Sequence, residues 1–310
     1  TLRKLAALQV EFASTDAGTF GVFHSLQQLH DCHNPFDPFA LHKASLQACG
    51  IIPSESGADL QEILRRLGGG LYLNTQVDNV PRGSGLGTSS ILACACAKAL
   101  AGMFGETLSD AEICRRVLAI EQLMSTGGGW QDQLGGLLPG IKMIRSKPGW
   151  KQEFQIENVL ISTATQQELQ QRFALISTGQ RRLARNLLRE VTGKYIASEP
   201  EALRCLQQIQ QLAVLMRKAL EQGDLDLFAS LLNQHWDCSK SLDAGCSNTC
   251  IEHIFLVCED LLAGRFIAGA GGGGFLQVIL KKGVSKNQLR KRLQTFFPDN
   301  VVLWDSDFVF

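Results

Sequence analysis

The chain has 310 residues, 45% hydrophobic and 19% charged, with 30 Lys+Arg balanced by 30 Asp+Glu. That length buries a sizeable core in one large or two medium domains, and the composition excludes a disordered chain. Zero net charge leaves no overall field to draw nucleic acid or an acidic membrane. The longest apolar run, "LLAGRFIAGAGGGGFLQVIL", is broken by Arg265 and weakened as a helix by its glycines, which excludes a transmembrane span. The 10 cysteines sit mostly in apolar stretches such as "ILACACAKAL", where they read as small buried hydrophobes. With no signal peptide in the sequence, a reduced, cytoplasmic setting is the expectation.

In chain order, "LQVEFAS" (8–14) and "GLYLNTQV" (70–77) read as strands. Between them "DPFALHKASLQACG" (37–50) and "ADLQEILRRLGG" (58–69) read as helices that stop at glycine. "PRGSGLGTSS" (81–90) is a glycine-rich loop leading into a helix of small side chains. A further helix over 109–125 opens on a capping box, Ser109 with Glu112. "TGGGWQDQLGGLLPGIKMI" (126–144) reads as a glycine-rich loop feeding a strand, and "RSKPGWKQEFQIENV" (145–159) as the boundary region between halves. "RFALIST" (172–178) is a strand, "RRLARNLLREV" (181–191) a helix, and three more helical stretches reach about residue 263. The chain closes with the hairpin-like "RFIAGAGGGGFLQVIL" (265–280), a helix over 286–297 and the strand "VVLWDSDF" (301–308). "KKGVSKNQLRKR" (281–292) carries six basic residues in twelve, but Leu289 and Leu293 make it an amphipathic helix with a solvated basic face. Cys246, Cys250 and His253 stand at helical steps, with His235 or Cys238 as a further ligand, yet the spacing matches no closed zinc site.

Three chemistries compete for residues 81–90. A Walker A loop needs a lysine after its last glycine, and Thr88 stands there. Gly83, Gly85 and Gly87 have the wrong spacing for a dinucleotide fingerprint. What fits is another kind of phosphate cradle. Glycines let amides converge on an anion, and a helix starting near Thr88 points its positive end at the same place. Thr88, Ser89 and Ser90 add hydroxyls where phosphate oxygens or magnesium would sit, whereas a plain capped turn needs only one glycine and one hydroxyl.

"GAGGGG" (269–274) matches G-x-G-x-x-G literally. A helix is expected before it and a strand after it, the reverse of dinucleotide-binding order, and no acidic residue lies between Asp260 and Asp299. Four consecutive glycines still mark a close approach of backbone.

Glu121 falls beside the apolar stripe Ile113, Val117, Ile120 and Met124, and in a last helical turn, where the dipole disfavours an anion. Both placements point to a cation; a snorkelling or arginine-paired glutamate is the plainer alternative. Eleven residues on, Asp132 follows three glycines and Trp130, in a segment able to hug a polar ligand. A carboxylate there suits orienting or deprotonating a hydroxyl during phosphoryl transfer, unless it merely caps a turn.

"PRGSGLGTSS" resembles the second motif of the GHMP small-molecule kinases, and "GAGGGGF" their third. "GGGWQDQ" and "STGQRRLARNLL" narrow the resemblance towards the fucose kinases and the related heptose-phosphate kinases. It covers essentially the whole chain. The resemblance implies an α+β fold in two lobes: a ribosomal-protein-like lobe, here 1–160, and a ferredoxin-like lobe, here 161–310, with ATP in the cleft between. It implies that Pro81, Gly83, Ser84, Gly85, Leu86, Gly87, Thr88, Ser89 and Ser90 cradle the triphosphate, that Ser89 and Glu121 bind magnesium, and that Asp132 is catalytic. Gly128, Gly129, Trp130, Thr178, Arg182 and Gly271, Gly272, Gly273 and Gly274 fall on the substrate side. The reaction implied is transfer of the ATP γ-phosphate to the anomeric hydroxyl of L-fucose, as in nucleotide-sugar salvage. A heptose phosphate, galactose or arabinose is the alternative acceptor. Family members also carry an upstream first motif that grips the sugar, and residues 1–80 contain nothing like it. The expectation is therefore a longer protein with a further N-terminal domain, or a nucleotide-binding piece without catalysis.

Overall fold

The computed structural model describes residues 1–308 except 35, 54–56, 82–83, 125–128, 150–152 and 181–184, and only the backbone of 185–188. The chain divides into two compact units, Thr1–Val80 with Gly87–Leu138, and Pro81–Leu86 with Pro139–Phe310.

The first unit runs β1 (Leu2–Leu5), β2 (Val10–Ser14), β3 (Thr19–Phe23), α1 (Leu26–His30), α2 (Ala40–Ala48), α3 (Leu60–Arg66), β4 (Gly70–Thr75), α4 (Thr88–Met103), α5 (Asp110–Leu123) and α6 (Gln131–Leu137). Its strands lie in the order β1-β4-β2-β3, with β2 and β4 parallel and the outer pairs antiparallel. Alternation along β2 and β4 puts Val10 beside Leu71 and Phe12 beside Leu73, all four buried. Each such side chain contributes about 1.5–3 kcal/mol on burial, so this face sets the register. Leu29, Leu46, Leu60 and Leu64 from the helices cover it. The small residues of α4 let α5 lie close, Ala93, Cys94 and Ala97 meeting Ile113, Val117 and Ile120. The capping box is present: the Ser109 hydroxyl accepts from the Glu112 N–H, and the Glu112 carboxylate from the Ser109 N–H.

The second unit runs β5 (Lys142–Ser146), β6 (Phe154–Asn158), α7 (Thr163–Arg172), β7 (Phe173–Ser177), α8 (Arg185–Ile196), α9 (Pro200–Gln222), α10 (Leu225–Leu242), α11 (Thr249–Val257), β8 (Leu262–Ile267), β9 (Phe275–Leu280), α12 (Lys286–Phe296) and β10 (Val302–Trp304). β5 and β6 pair as an antiparallel hairpin. The other four strands form an antiparallel sheet in the order β10-β7-β9-β8. Trp236, Ile254 and Phe255 pack with Ile176, Leu276 and Val278 of this sheet. Leu289 and Leu293 join that core, so the basic stretch 281–292 is amphipathic as predicted.

Three expectations are corrected. Residues 131–137 form α6 inside the segment expected as loop, because burial of Gln133 and Leu134 outweighs the weak helix propensity of Gly135 and Gly136. The glycines 269–274 follow strand β8, not a helix, and join two antiparallel strands, which is still not the strand-to-helix order of a dinucleotide loop. Cys246 ends a 3₁₀ turn ahead of α11 and so shares no helix face with Cys250 and His253; the His253 ring meets Phe297 edge-on instead. Among the described residues no helix is long and apolar enough to cross a membrane.

Candidate active site

In the first unit the chemistry gathers at the head of α4. Gly87 is its N-cap residue, with left-handed backbone (φ 67°) and no side chain to close the positive end of a 16-residue helix. Gly87 also packs on Asp132: a Cβ there would stand 3.5 Å from the Asp132 Cβ and Cγ. Ser89 is exposed in the first turn and Ser90 is buried. The Ser90 hydroxyl donates to Glu121 Oε1, and Gln133 Nε2 donates to Glu121 Oε2 at 2.7 Å. Three helices, α4, α5 and α6, thus meet on one carboxylate.

Glu121 is 6% exposed, so it does not snorkel to solvent. Burial lifts its carboxyl above the ordinary 4.5; the Ser90 and Gln133 hydrogen bonds pull down and the charge of Asp132 pushes up, leaving it raised. Asp132, in the first turn of α6, reaches solvent, yet surrounding atoms desolvate its carboxyl enough to raise it above 3.8. The pair divides into an enclosed carboxylate, suited to a cation, and an accessible one, suited to a substrate hydroxyl.

In the second unit the two glycine motifs meet backbone against backbone. The Phe275 N–H donates to the Ser84 carbonyl at 3.1 Å, and the Leu86 N–H to the Ser84 hydroxyl at 3.3 Å. Gly85 has φ 77°, and a Cβ on it would sit 2.3 Å from the Ala268 carbonyl oxygen. Only glycine fits there. The close approach expected of the glycine run is made to the protein itself: a Cβ on Gly271 would lie 2.5 Å from the Cys246 carbonyl oxygen, and one on Gly273 3.1 Å from that of Gln180. Gly272 N donates to the Cys246 carbonyl at 2.6 Å and Gly274 N to that of Gln180 at 2.9 Å. The Gly274 carbonyl accepts from both the backbone N–H and the hydroxyl of Thr178, each at 2.9 Å. Thr178 is buried, and the bonds it shows tie β7 to the glycine loop.

Of the remaining candidates, Pro81 is half-buried, and Gly129 and Trp130 lead into α6 with Trp130 as its N-cap residue. Gly83, Gly128 and Arg182 lie outside the described residues. Sequence reasoning missed Gln133, whose signal was a buried-face position one residue past Asp132 in a stretch taken for loop. It also missed Asn248, whose amide bonds Gln180 Oε1 at 2.9 Å and the Gly272 carbonyl at 3.1 Å.

A glycine-led helix with a hydroxyl, a glutamate and an aspartate gathered at its head, on this two-unit α+β fold, defines a class. The chain belongs to the GHMP kinases: residues 58–140 match the GHMP kinases N terminal domain. A crystal structure of mevalonate kinase matches the fold with a TM-score of 0.68 over 99% of this chain and 88% of that one, at 17% identity. Sequence relatives narrow the class. The chain is 39% identical over 258 residues to the bifunctional fucokinase/GDP-fucose pyrophosphorylase of Arabidopsis thaliana, covering 83% of this chain and 24% of that protein. It is 33% identical over 289 residues to the L-fucokinase/L-fucose-1-P guanylyltransferase of Bacteroides fragilis, covering 92% and 30%. It is 30% identical over 210 residues to the D-glycero-alpha-D-manno-heptose 7-phosphate kinase of Campylobacter jejuni, covering 66% and 59%. The chain therefore spans between 24% and 30% of the length of the two bifunctional relatives.

Proposed function

We propose that this chain is a sugar-kinase unit that transfers the γ-phosphate of ATP to the anomeric hydroxyl of L-fucose, giving fucose 1-phosphate and ADP. The observation that carries the proposal is the enclosed Glu121, held by Ser90 and Gln133, with Asp132 packed on the helix-capping Gly87. The names of the two bifunctional relatives supply the sugar.

Amides of the loop from Gly83 to Ser90 and the positive end of α4 hold the phosphates. A carboxylate excluded from water, with neutral hydroxyl and amide donors on its oxygens, fits a divalent cation, so Glu121 with the Ser89 hydroxyl would hold magnesium. Magnesium, when bound, supplies positive charge against the phosphate oxygens. Asp132 orients the anomeric hydroxyl and takes its proton as the sugar oxygen bonds to the γ-phosphorus and the bond to the ADP oxygen breaks. The family resemblance is what assigns Gly129, Trp130, Thr178, Arg182 and the glycines 271–274 to sugar binding.

A heptose phosphate is the second acceptor, favoured by the Campylobacter relative. Phosphate transfer from Mg·ATP to L-fucose, D-arabinose, L-arabinose, D-galactose and D-glycero-D-manno-heptose 7-phosphate decides between them. L-Fucose should lead in kcat/KM by about tenfold or more, the share that binding one well-fitted group supplies. Faster turnover of the heptose phosphate would replace L-fucose as substrate. Magnesium-nucleotide binding without turnover of any acceptor would leave a nucleotide-binding unit only.

A further inference from the structure

We propose that Gln133 is a positioning residue of the phosphoryl-transfer site: its amide nitrogen holds Glu121, and its Oε1 accepts a hydrogen bond from an O–H donor that arrives with the ligands. The inference rests on the kinase function proposed above and extends it to Gln133, the last residue of "GGGWQDQ", to which the sequence alone assigned no role.

Gln133 is completely buried on α6, and its two ends are treated differently. Nε2 donates to Glu121 Oε2 at 2.7 Å. Oε1 is buried with no hydrogen-bond partner among the described residues. Chemistry fixes which end faces which way. An ionised carboxylate only accepts, so the NH₂ end must point at Glu121, and the carbonyl end is forced to the other side. Buried carbonyl oxygens are nearly always satisfied, and one left without a partner marks a place where a donor is missing.

Position adds the second half. Gln133 follows Asp132 directly on a seven-residue helix, and its amide ties that helix to Glu121, which the Ser90 hydroxyl ties to α4. A ligand drawn to the head of α4 is thereby coupled through three side chains to the helix that carries Asp132. A leucine at 133 would fill the same space and strip a hydrogen bond from Glu121. A glutamate would add a third negative charge to the Glu121–Asp132 pair. Glutamine supplies a donor to Glu121 and an acceptor to the incoming ligand without charge. The donor is an O–H group, from a metal-bound water or a sugar hydroxyl.

The test is calorimetric binding to the folded chain of Mg·AMP-PNP without sugar, and of L-fucose without nucleotide, for wild type and Gln133→Leu, with thermal melts alongside. A rise of about tenfold or more in the Mg·AMP-PNP Kd with the L-fucose Kd unchanged supports the proposal on the nucleotide side, tenfold being the effect expected when Glu121 loses its charge-assisted hydrogen bond from Gln133. A comparable rise for L-fucose alone also supports it and assigns a sugar hydroxyl. Both Kd values unchanged with only a lowered Tm would overturn it and leave Gln133 a packing residue. Gln133→Met, unbranched and similar in volume, replaces Gln133→Leu if the latter fails to fold. A wild-type chain that binds neither ligand defeats the kinase function first, and this inference with it.

Discussion

Arg172 in the second unit and Glu121 in the first are buried to nearly the same degree, 5% and 6% exposed, and are handled in opposite ways. Arg172 donates to the Leu280 carbonyl at 2.8 Å, to Glu168 at 2.7 Å and to Asp226. Burial works against its charge, yet the hydrogen bonds and charges of Asp226 and Glu168 carry its pKa above the ordinary guanidinium value. Glu121 has the reverse balance. Its neutral donors do not offset desolvation and the nearby Asp132, and its carboxyl stays raised. A buried charge matched by opposite charge locks structure; a carboxyl that stays raised beside a second carboxyl is where the proposed magnesium would act.

The contrast can be broken at its strongest point first. Asp132→Asn should lower kcat by about 10²–10⁴-fold while leaving the Kd for Mg·AMP-PNP within about twofold, since general-base effects are of that size. Retained turnover would remove Asp132 from the chemistry. Arg172→Met should cost about 2 kcal/mol of unfolding free energy in urea titrations, below the usual loss for a broken buried pair because Glu168 and Asp226 are 35% and 68% exposed and rehydrate. The same variant should leave nucleotide affinity alone.

Glu121→Gln should do the opposite, weakening Mg·AMP-PNP binding while raising the stability of the ligand-free chain at pH 7 by about 1 kcal/mol, the scale of one relieved buried polar group. The pH dependence checks the cause. A carboxyl whose folded pKa lies above its unfolded value binds its proton more tightly when folded, so its stability contribution is complete below about 4.5 and is lost as pH rises through the raised native value. Asp132 adds a slope of the same sign from 3.8 upward. The gap between Glu121→Gln and wild type should therefore close below pH 4.5; a gap that persists there would point to packing. The smallest effect belongs to Thr178→Val, which removes one hydroxyl bond to the Gly274 carbonyl while the backbone bond remains. Its cost should be about 1 kcal/mol or less, read from a urea midpoint.

Much of the site was legible along the chain because its signals are local. Gly85 and Gly87 stand out as glycines ahead of a helix, and both adopt the left-handed backbone that such a loop demands. Glu121 was conspicuous because helical periodicity placed it beside an apolar stripe, and it is buried there. The Ser109–Glu112 box and the Leu289–Leu293 face are equally short-range patterns. What escaped was the identity of partners. Ser89 and Ser90 are indistinguishable in sequence, and only the rotation of α4 against α5 makes Ser90 the one bonded to Glu121. α6 was hidden because seven residues flanked and interrupted by glycine hold too few turns for a helical period to emerge. Short strands such as β1 and β3 were missed for a related reason, since none of their residues is fully buried.

By itself the amino-acid sequence determined where backbone can turn left-handed, where a helix starts and which carboxylate is out of place, because sterics and periodicity act within a few residues. Tertiary structure alone decided that the glycine run closes on Cys246, Gln180 and the Ser84–Gly85 loop, and that Gln133 reaches Glu121. Those contacts join segments far apart along the chain, and which atoms meet depends on how whole helices and strands pack.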